Sequence, residues 1–204
     1  MAKKNSSDFQ LEKANGELLV TTSSKQKTNN FQEMDSYVDS AIFNATASTT
    51  VANTTTETTL FGTGTGTKTL DASFLSIAKS IEIDLWGTIA TLVTPTIRLK
   101  VKFGSTVIID TTALTLLTIT GTNLWNSKAV IDCRTTGAAG TVFGQGMVLY
   151  YTSSTGLAGL ATPNTTTSTI DTTTTQVIDV TVQWGTASAS NTITCTNAKI
   201  RISM

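Results

Sequence analysis

Seven acidic residues between positions 60 and 204 have the chemistry for acid–base work: Asp71, Glu82, Asp84, Asp110, Asp132, Asp171 and Asp179. A glycosidase needs two carboxylates a few ångströms apart whose environments split their proton affinities. These acids are scattered, and most alternate with apolar neighbours. Glu82 and Asp84 read as the outer face of a strand, not as a catalytic pair. The chain has no histidine. That removes the commonest general base, the Ser-His and Cys-His nucleophile pairs, and most zinc and copper sites. Cys133 and Cys195 without histidine cannot complete a structural zinc site. The expectation is a non-enzymatic chain with no catalytic residues, no metal and no cofactor.

The run Phe61-Gly62-Thr63-Gly64-Thr65-Gly66-Thr67-Lys68 invites comparison with phosphate-binding loops and fails on spacing. A Walker loop places Gly directly before Lys, and here Thr67 intervenes. The dinucleotide fingerprint has two residues between its second and third glycines, and here there is one. Neither arrangement leads into a helix, so the run reads as a flexible or bulged approach to the first strand. Arg98, Lys100 and Lys102 form a short cationic row, but a nucleic-acid groove needs interleaved exposed aromatics and a positive excess. With 14 basic and 14 acidic residues the chain has neither that excess nor the charge of a basic membrane-surface protein. No apolar run approaches a membrane helix. Trp125, Tyr150 and Tyr151 are the aromatics a glycan site would draw on, although the two tyrosines fall within a strand pattern.

The elements that would position these residues are strands. Threonine makes up about a fifth of the sequence, and charged residues only 14%. Thr is stiff, favours pleated surfaces and keeps an outer face wet without charge. Ile81, Ile83 and Leu85 alternate with Glu82, Asp84 and Trp86, and Ile97, Leu99, Val101 and Phe103 alternate with Arg98, Lys100 and Lys102. Both are half-buried strands. A turn near 92–94 would join them as a hairpin, with Asp84 opposite Lys102 and Trp86 opposite Lys100. Further strands are expected at 107–110, 114–120, 129–133, 142–151, 177–184 and 191–203. In the last of these the apolar parity changes between Cys195 and Ala198, which implies a β-bulge near Thr196-Asn197. Cys133 and Cys195 each sit in an alternating pattern and read as buried thiols, with a single bridge as the alternative.

Residues 1–59 differ from the remainder. They are polar, and their apolar residues fall in two clusters. Leu18-Leu19-Val20 reads as a short strand or docking peptide. Phe31, Met34, Val38 and Ala41, followed by Ile42 and Phe43, have the spacing of a short amphipathic helix or about two coiled-coil heptads. Residues 44–59, NATASTTVANTTTETT, read as an extended linker. The anchoring or self-association candidates are therefore Leu18, Leu19, Phe31, Met34, Val38, Ile42 and Phe43. The expected architecture is all-β: an N-terminal arm over 1–59 and a jelly-roll-like antiparallel β-sandwich over 60–204. The Lys-containing start lacks the apolar stretch of a signal peptide, so synthesis in a reducing compartment is expected. Zero net charge removes one usual protection against self-association.

Three segments carry a family resemblance: LFGTGTGTKTLDASFLSIAKSIEIDLWG (60–87), TPTIRLKVKFGSTVIID (94–110) and SASNTITCTNAKIRIS (188–203). Together they resemble the β-sandwich domains of tailed-bacteriophage virion proteins. An opening Gly-Thr run, a Thr-Leu-x-Ala-x-x-Leu pattern and a closing Asn-Thr-Ile-x-x-Thr-Asn strand are the shared features. The resemblance covers about residues 60–204 and implies a homotrimeric fibre, spike or decoration located in the virion. Its implied partners are other copies of itself and virion proteins such as the capsid shell, with no nucleic acid or membrane. A tail fibre or spike recognising host glycan is the alternative it implies.

Overall fold

The computed structural model describes residues 10–12, 18–20, 41–92, 94–163 and 166–203. The chain forms two compact units, 1–40 and 41–204. In the first, β1 (Gln10–Glu12) pairs antiparallel with β2 (Leu18–Val20), setting Leu11 opposite Leu19. The second contains β3 (Ala41–Ala45), β4 (Thr49–Ala52), β5 (Thr58–Thr59), β6 (Gly64–Gly66), β7 (Thr69–Leu70) and β8 (Ser80–Thr91). It continues with β9 (Thr96–Phe103), β10 (Thr106–Asp110), β11 (Leu114–Thr115), β12 (Ile119–Thr135) and β13 (Gly140–Tyr151). It ends with β14 (Leu157–Pro163), β15 (Ser168–Ile170), β16 (Gln176–Trp184) and β17 (Thr192–Ser203). No helix occurs among the described residues.

The second unit is an all-β, two-sheet antiparallel sandwich. One sheet has nine strands, running β14-β13-β12-β8-β17-β3-β6, with β15 also on β13 and β4 also on β17. The other runs β10-β9-β16-β5, with β11 on β9 and β7 on β16. Period-two alternation decides which residues meet between them. In β8 the residues Ile81, Ile83, Leu85, Gly87 and Ile89 are buried, while Glu82, Asp84 and Trp86 face outward. Ile97, Leu99, Val101 and Phe103 of β9 do the same from the opposite sheet, and both rows join one core cluster. Trp184 of β16 fastens the sheets directly, its indole N–H donating to the Val51 carbonyl of β4 at 3.2 Å.

Two expectations from the sequence change. The strands at 81–85 and 97–103 are not a hairpin: β8 lies between β12 and β17, and β9 lies between β10 and β16. Alternation fixes which side chains point inward but not which strand lies alongside. Here the short 92–95 connection crosses from one sheet to the other. Asp84 therefore meets Lys128 (3.6 Å) and Arg201 (2.8 Å) instead of Lys102. Residues 44–59 are not a linker either. β3 and β4 pair with β17, and β5 pairs with β16, so the sandwich begins at Ala41. These strands each need only one apolar anchor, Phe43 in β3 and Val51 in β4, and their threonine hydroxyls meet polar partners, as in Thr50 to Thr194 at 2.8 Å.

Other expectations hold. β17 shifts register between Cys195 and Asn197, as its change of parity requires, and both cysteines are buried and unbridged. Burial pushes the Cys195 thiol up to about 11, which leaves it a neutral apolar filler at neutral pH.

The bulge sets a demand on β8. Gly87 lies opposite Cys195, just before the shift, and a Cβ there would collide with the Thr194 carbonyl and come within 2.9 Å of the Trp125 indole nitrogen. That same indole N–H donates to the Thr194 carbonyl at 3.2 Å, so glycine, tryptophan and bulge form one fitted unit. We expect Gly87→Ala to cost about 2–3 kcal/mol in chemical denaturation. Gly159→Ala, whose Cβ would meet only the end of Leu149 at 3.0 Å, should change stability by under about 0.5 kcal/mol.

Candidate functional site

The residues singled out as anchors scatter across the chain. Leu18 and Leu19 lie in β2 of the first unit, and Phe31, Met34 and Val38 lie outside the described residues. Ala41 and Ile42, expected to extend a helical stripe, are in strand β3. Phe43 is buried in the core of its own sandwich, and Ile42 packs against that core. Both positions therefore take part in the sandwich itself.

The glycine-rich run has a structural task beside Phe43. β6 pairs with β3, placing Gly66 opposite Phe43 and Gly64 opposite Ala45. A side chain at Gly64 would strike the Phe43 ring, and Gly66 has φ +85°, a left-handed conformation that favours glycine. The close approach lets Phe43 and Phe61 meet edge to face at 5.4 Å, with the Lys68 ammonium 5.4 and 5.6 Å from the two ring centres. Lys68 covers apolar rings here instead of a phosphate.

The densest polar cluster lies on the outer face of the smaller sheet. Glu57, in the segment before β5, reaches Lys100 (2.5 Å) and Lys102 (2.9 Å) of β9 and accepts from the Thr181 hydroxyl of β16 (2.9 Å). Next to it the Thr59 hydroxyl donates to Asp179 at 2.6 Å, and Arg98 makes a two-point pair with Asp110. The cationic row expected at 98–102 is therefore consumed within the fold. Hydrogen bonds from Lys100 and then Lys102 pull the Glu57 carboxyl down to about 2, against the opposing effect of burial. The Arg98 guanidinium likewise holds Asp110 below the usual carboxylate range. This cluster fastens the 53–59 segment across the sheet. Glu57 and Asp110 are held ionised by the cations they pair with.

The aromatics behave differently from expectation. Trp125 is 3% exposed and belongs to the core, while Tyr150 and Tyr151 are half-buried and pack against it. Among the described residues the aromatic that is exposed is Trp86, at 48%, on the outer face of the larger sheet. Its neighbours in register are Asn126 of β12 and Asn197 of β17. Alternation placed Trp86 outward, but the side amides became visible only with the pairing of β8. Among the described residues no group of three or more His, Cys, Asp or Glu side chains is placed to hold a metal ion.

The fold thus defines the described residues from Ala41 onward as an all-β antiparallel sandwich in which several charged side chains fasten strands to one another. No protein-family model matches the sequence, and no curated protein is similar to it.

The Glu57 cluster has a measurable signature. Because its folded-state affinity for a proton is depressed from 4.5 to about 2, the stability it contributes is complete above pH 4.5 and lost as pH falls toward 2. Glu57→Gln should lower stability by about 1–2 kcal/mol at pH 7 and flatten that acid limb of the stability profile, read by denaturant titration at several pH values.

Proposed function

We propose that this chain is a structural component of a bacteriophage particle, a non-enzymatic head-attached fibre or decoration protein. Residues 1–40 dock it to the shell, and a jelly-roll-like sandwich is displayed outward as a homotrimer. The observation that carries the reading is the separation into a 40-residue unit and a sandwich in which ion pairs such as Glu57 with Lys100 and Lys102, and Asp84 with Arg201, fasten strands to one another. The likeness of residues 60–204 to tailed-phage sandwich domains supports it. So does the way the chain passes repeatedly between sheets, as from β7 to β8 to β9 and from β15 to β16 to β17, which suits a jelly roll. The docking part now rests on Leu18, Leu19, Phe31, Met34 and Val38, since Ile42 and Phe43 belong to the sandwich.

One observation favours a second reading, a tail fibre or spike that binds host glycan. Trp86 offers a flat apolar ring flanked by the side amides of Asn126 and Asn197, a combination that suits the mixed polar and apolar faces of a sugar.

Two truncations test the first reading. Removing residues 1–40 should leave the melting temperature of the sandwich unchanged while abolishing incorporation into particles, scored by immunolabelling of purified virions. Removing residues 1–52 deletes β3 and β4 and should unfold or strongly destabilise the domain. Incorporation of the 41–204 fragment at full level would overturn docking through the N-terminal unit. For the second reading, glycan-array binding that Trp86→Ala abolishes is the supporting result.

A further inference from the structure

The two halves of the outer face of the larger sheet differ in charge. Toward β17 the face carries Glu82, Asp84, Lys199 and Arg201 in register with one another. Toward β14 it carries none: the sequence from Thr135 to Ile170, spanning β13, β14 and β15, contains no Asp, Glu, Lys or Arg. Register gathers apolar side chains at that end. Leu157 stands opposite Tyr151 and Ala161 opposite Met147, while Leu124 lies two residues along β12 from Asn126, which pairs with both Leu149 and Trp86. Leu124 is 71% exposed, Leu157 62% and Met147 46%. Single exposed apolar residues are ordinary, but a contiguous group on one sheet face marks a contact surface.

The edge of the sheet has the same character. Among the described residues β14 is hydrogen-bonded to β13 alone, so its other side is an open strand edge. Natural edges are guarded by lysines, inward charges or bulges. Leu157-Ala158-Gly159-Leu160-Ala161 has none of these, and only Pro163, which lacks an N–H, ends the run.

We propose that this uncharged end of the larger sheet, the outer face at Leu124, Tyr151 and Leu157 together with the open β14 edge, is the surface at which copies of this chain meet. Charge complementarity selects the occupant. A partner carrying charge of either sign would be desolvated here with nothing to pair it, whereas a second copy brings an equally uncharged surface. Lys128, which lies opposite Met147 at the margin of this row, and Arg201 both pair with Asp84 within one copy, so these cations are engaged locally. Copies with no net charge also have no long-range repulsion to overcome. The inference rests on the reading of the chain as a homo-oligomer and adds the face that makes it one.

The test measures the mass of the full-length chain in solution by light scattering and sedimentation over a range of micromolar concentrations. Wild-type protein should be oligomeric, and Leu124→Lys/Leu157→Lys should be monomeric or associate at least about tenfold more weakly, with an unchanged circular dichroism spectrum. Leu124→Ser/Leu157→Ser, which removes apolar area without adding charge, should weaken association in the same direction. Val177→Lys, an exposed apolar position on the other sheet, should behave as wild type. Trp86 borders the patch, whereas Trp125 and Trp184 are buried, so acrylamide quenching should rise on dissociation and Trp86→Phe should remove the rise. If the Lys and Ser variants keep the wild-type mass, the proposed surface is overturned while the oligomer stands. A monomeric wild type at every concentration overturns both.

Discussion

The structure depends on two sheets burying their alternating rows against each other. Ile81, Ile83, Leu85 and Ile89 of β8 are enclosed by the inward rows of β12 and β17 on either side and by β9 and β16 across the sandwich. A slip of one residue in β8 would exchange this row for Glu82, Asp84 and Trp86 and bury two carboxylates. That penalty is far larger than any loop or surface contact can offset, so the register of the larger sheet is fixed by exclusion of the alternatives. The remaining features are adjustments to it. The bulge in β17 restores inward parity after Cys195, and Gly87 makes room for the carbonyl that the bulge pushes forward.

With the interior settled, the outer faces divide the remaining work. The smaller sheet spends its charges locally: Glu57 spans Lys100, Lys102 and Thr181, and Arg98 grips Asp110. Exposed ion pairs contribute little, but these are partly screened from water, and Glu57 joins three residues on two strands to a segment with few apolar residues of its own. That is how a threonine-rich stretch with one buried valine becomes part of a folded domain. The larger sheet concentrates its charges toward β17 and leaves the β14 end bare.

Much of this was legible in the sequence, and the limits have identifiable causes. Strict alternation revealed β8, β9, β13, β16 and β17, and the parity change in the last strand revealed its bulge. Burial of Cys133 and Cys195 followed from the same pattern. What alternation cannot encode is partnership between strands: it does not say that β8 pairs with β12 and β17, and so the expected contact of Asp84 with Lys102 gave way to contacts with Lys128 and Arg201. Segments that contribute one anchor each, such as β3 and β4, were hidden because a single Phe43 or Val51 leaves no period to detect. Trp125 was misread for a related reason. An aromatic in a polar-looking run, Asn123-Leu124-Trp125-Asn126-Ser127, gives no sign that Leu124 faces out and Trp125 faces in until β12 is paired on both sides.

The order of the chain has a mechanical consequence. β17, the last strand, is held between β8 on one side and β3 and β4, the first strands of the sandwich, on the other. The ends of the domain are therefore joined to each other through ladders that close sequence separations of more than a hundred residues. Such contacts form late and slowly in folding because loop closure precedes their gain, and contacts made after the transition state chiefly slow unfolding. A domain closed by such late-forming contacts holds its shape through slow unfolding as well as through equilibrium stability.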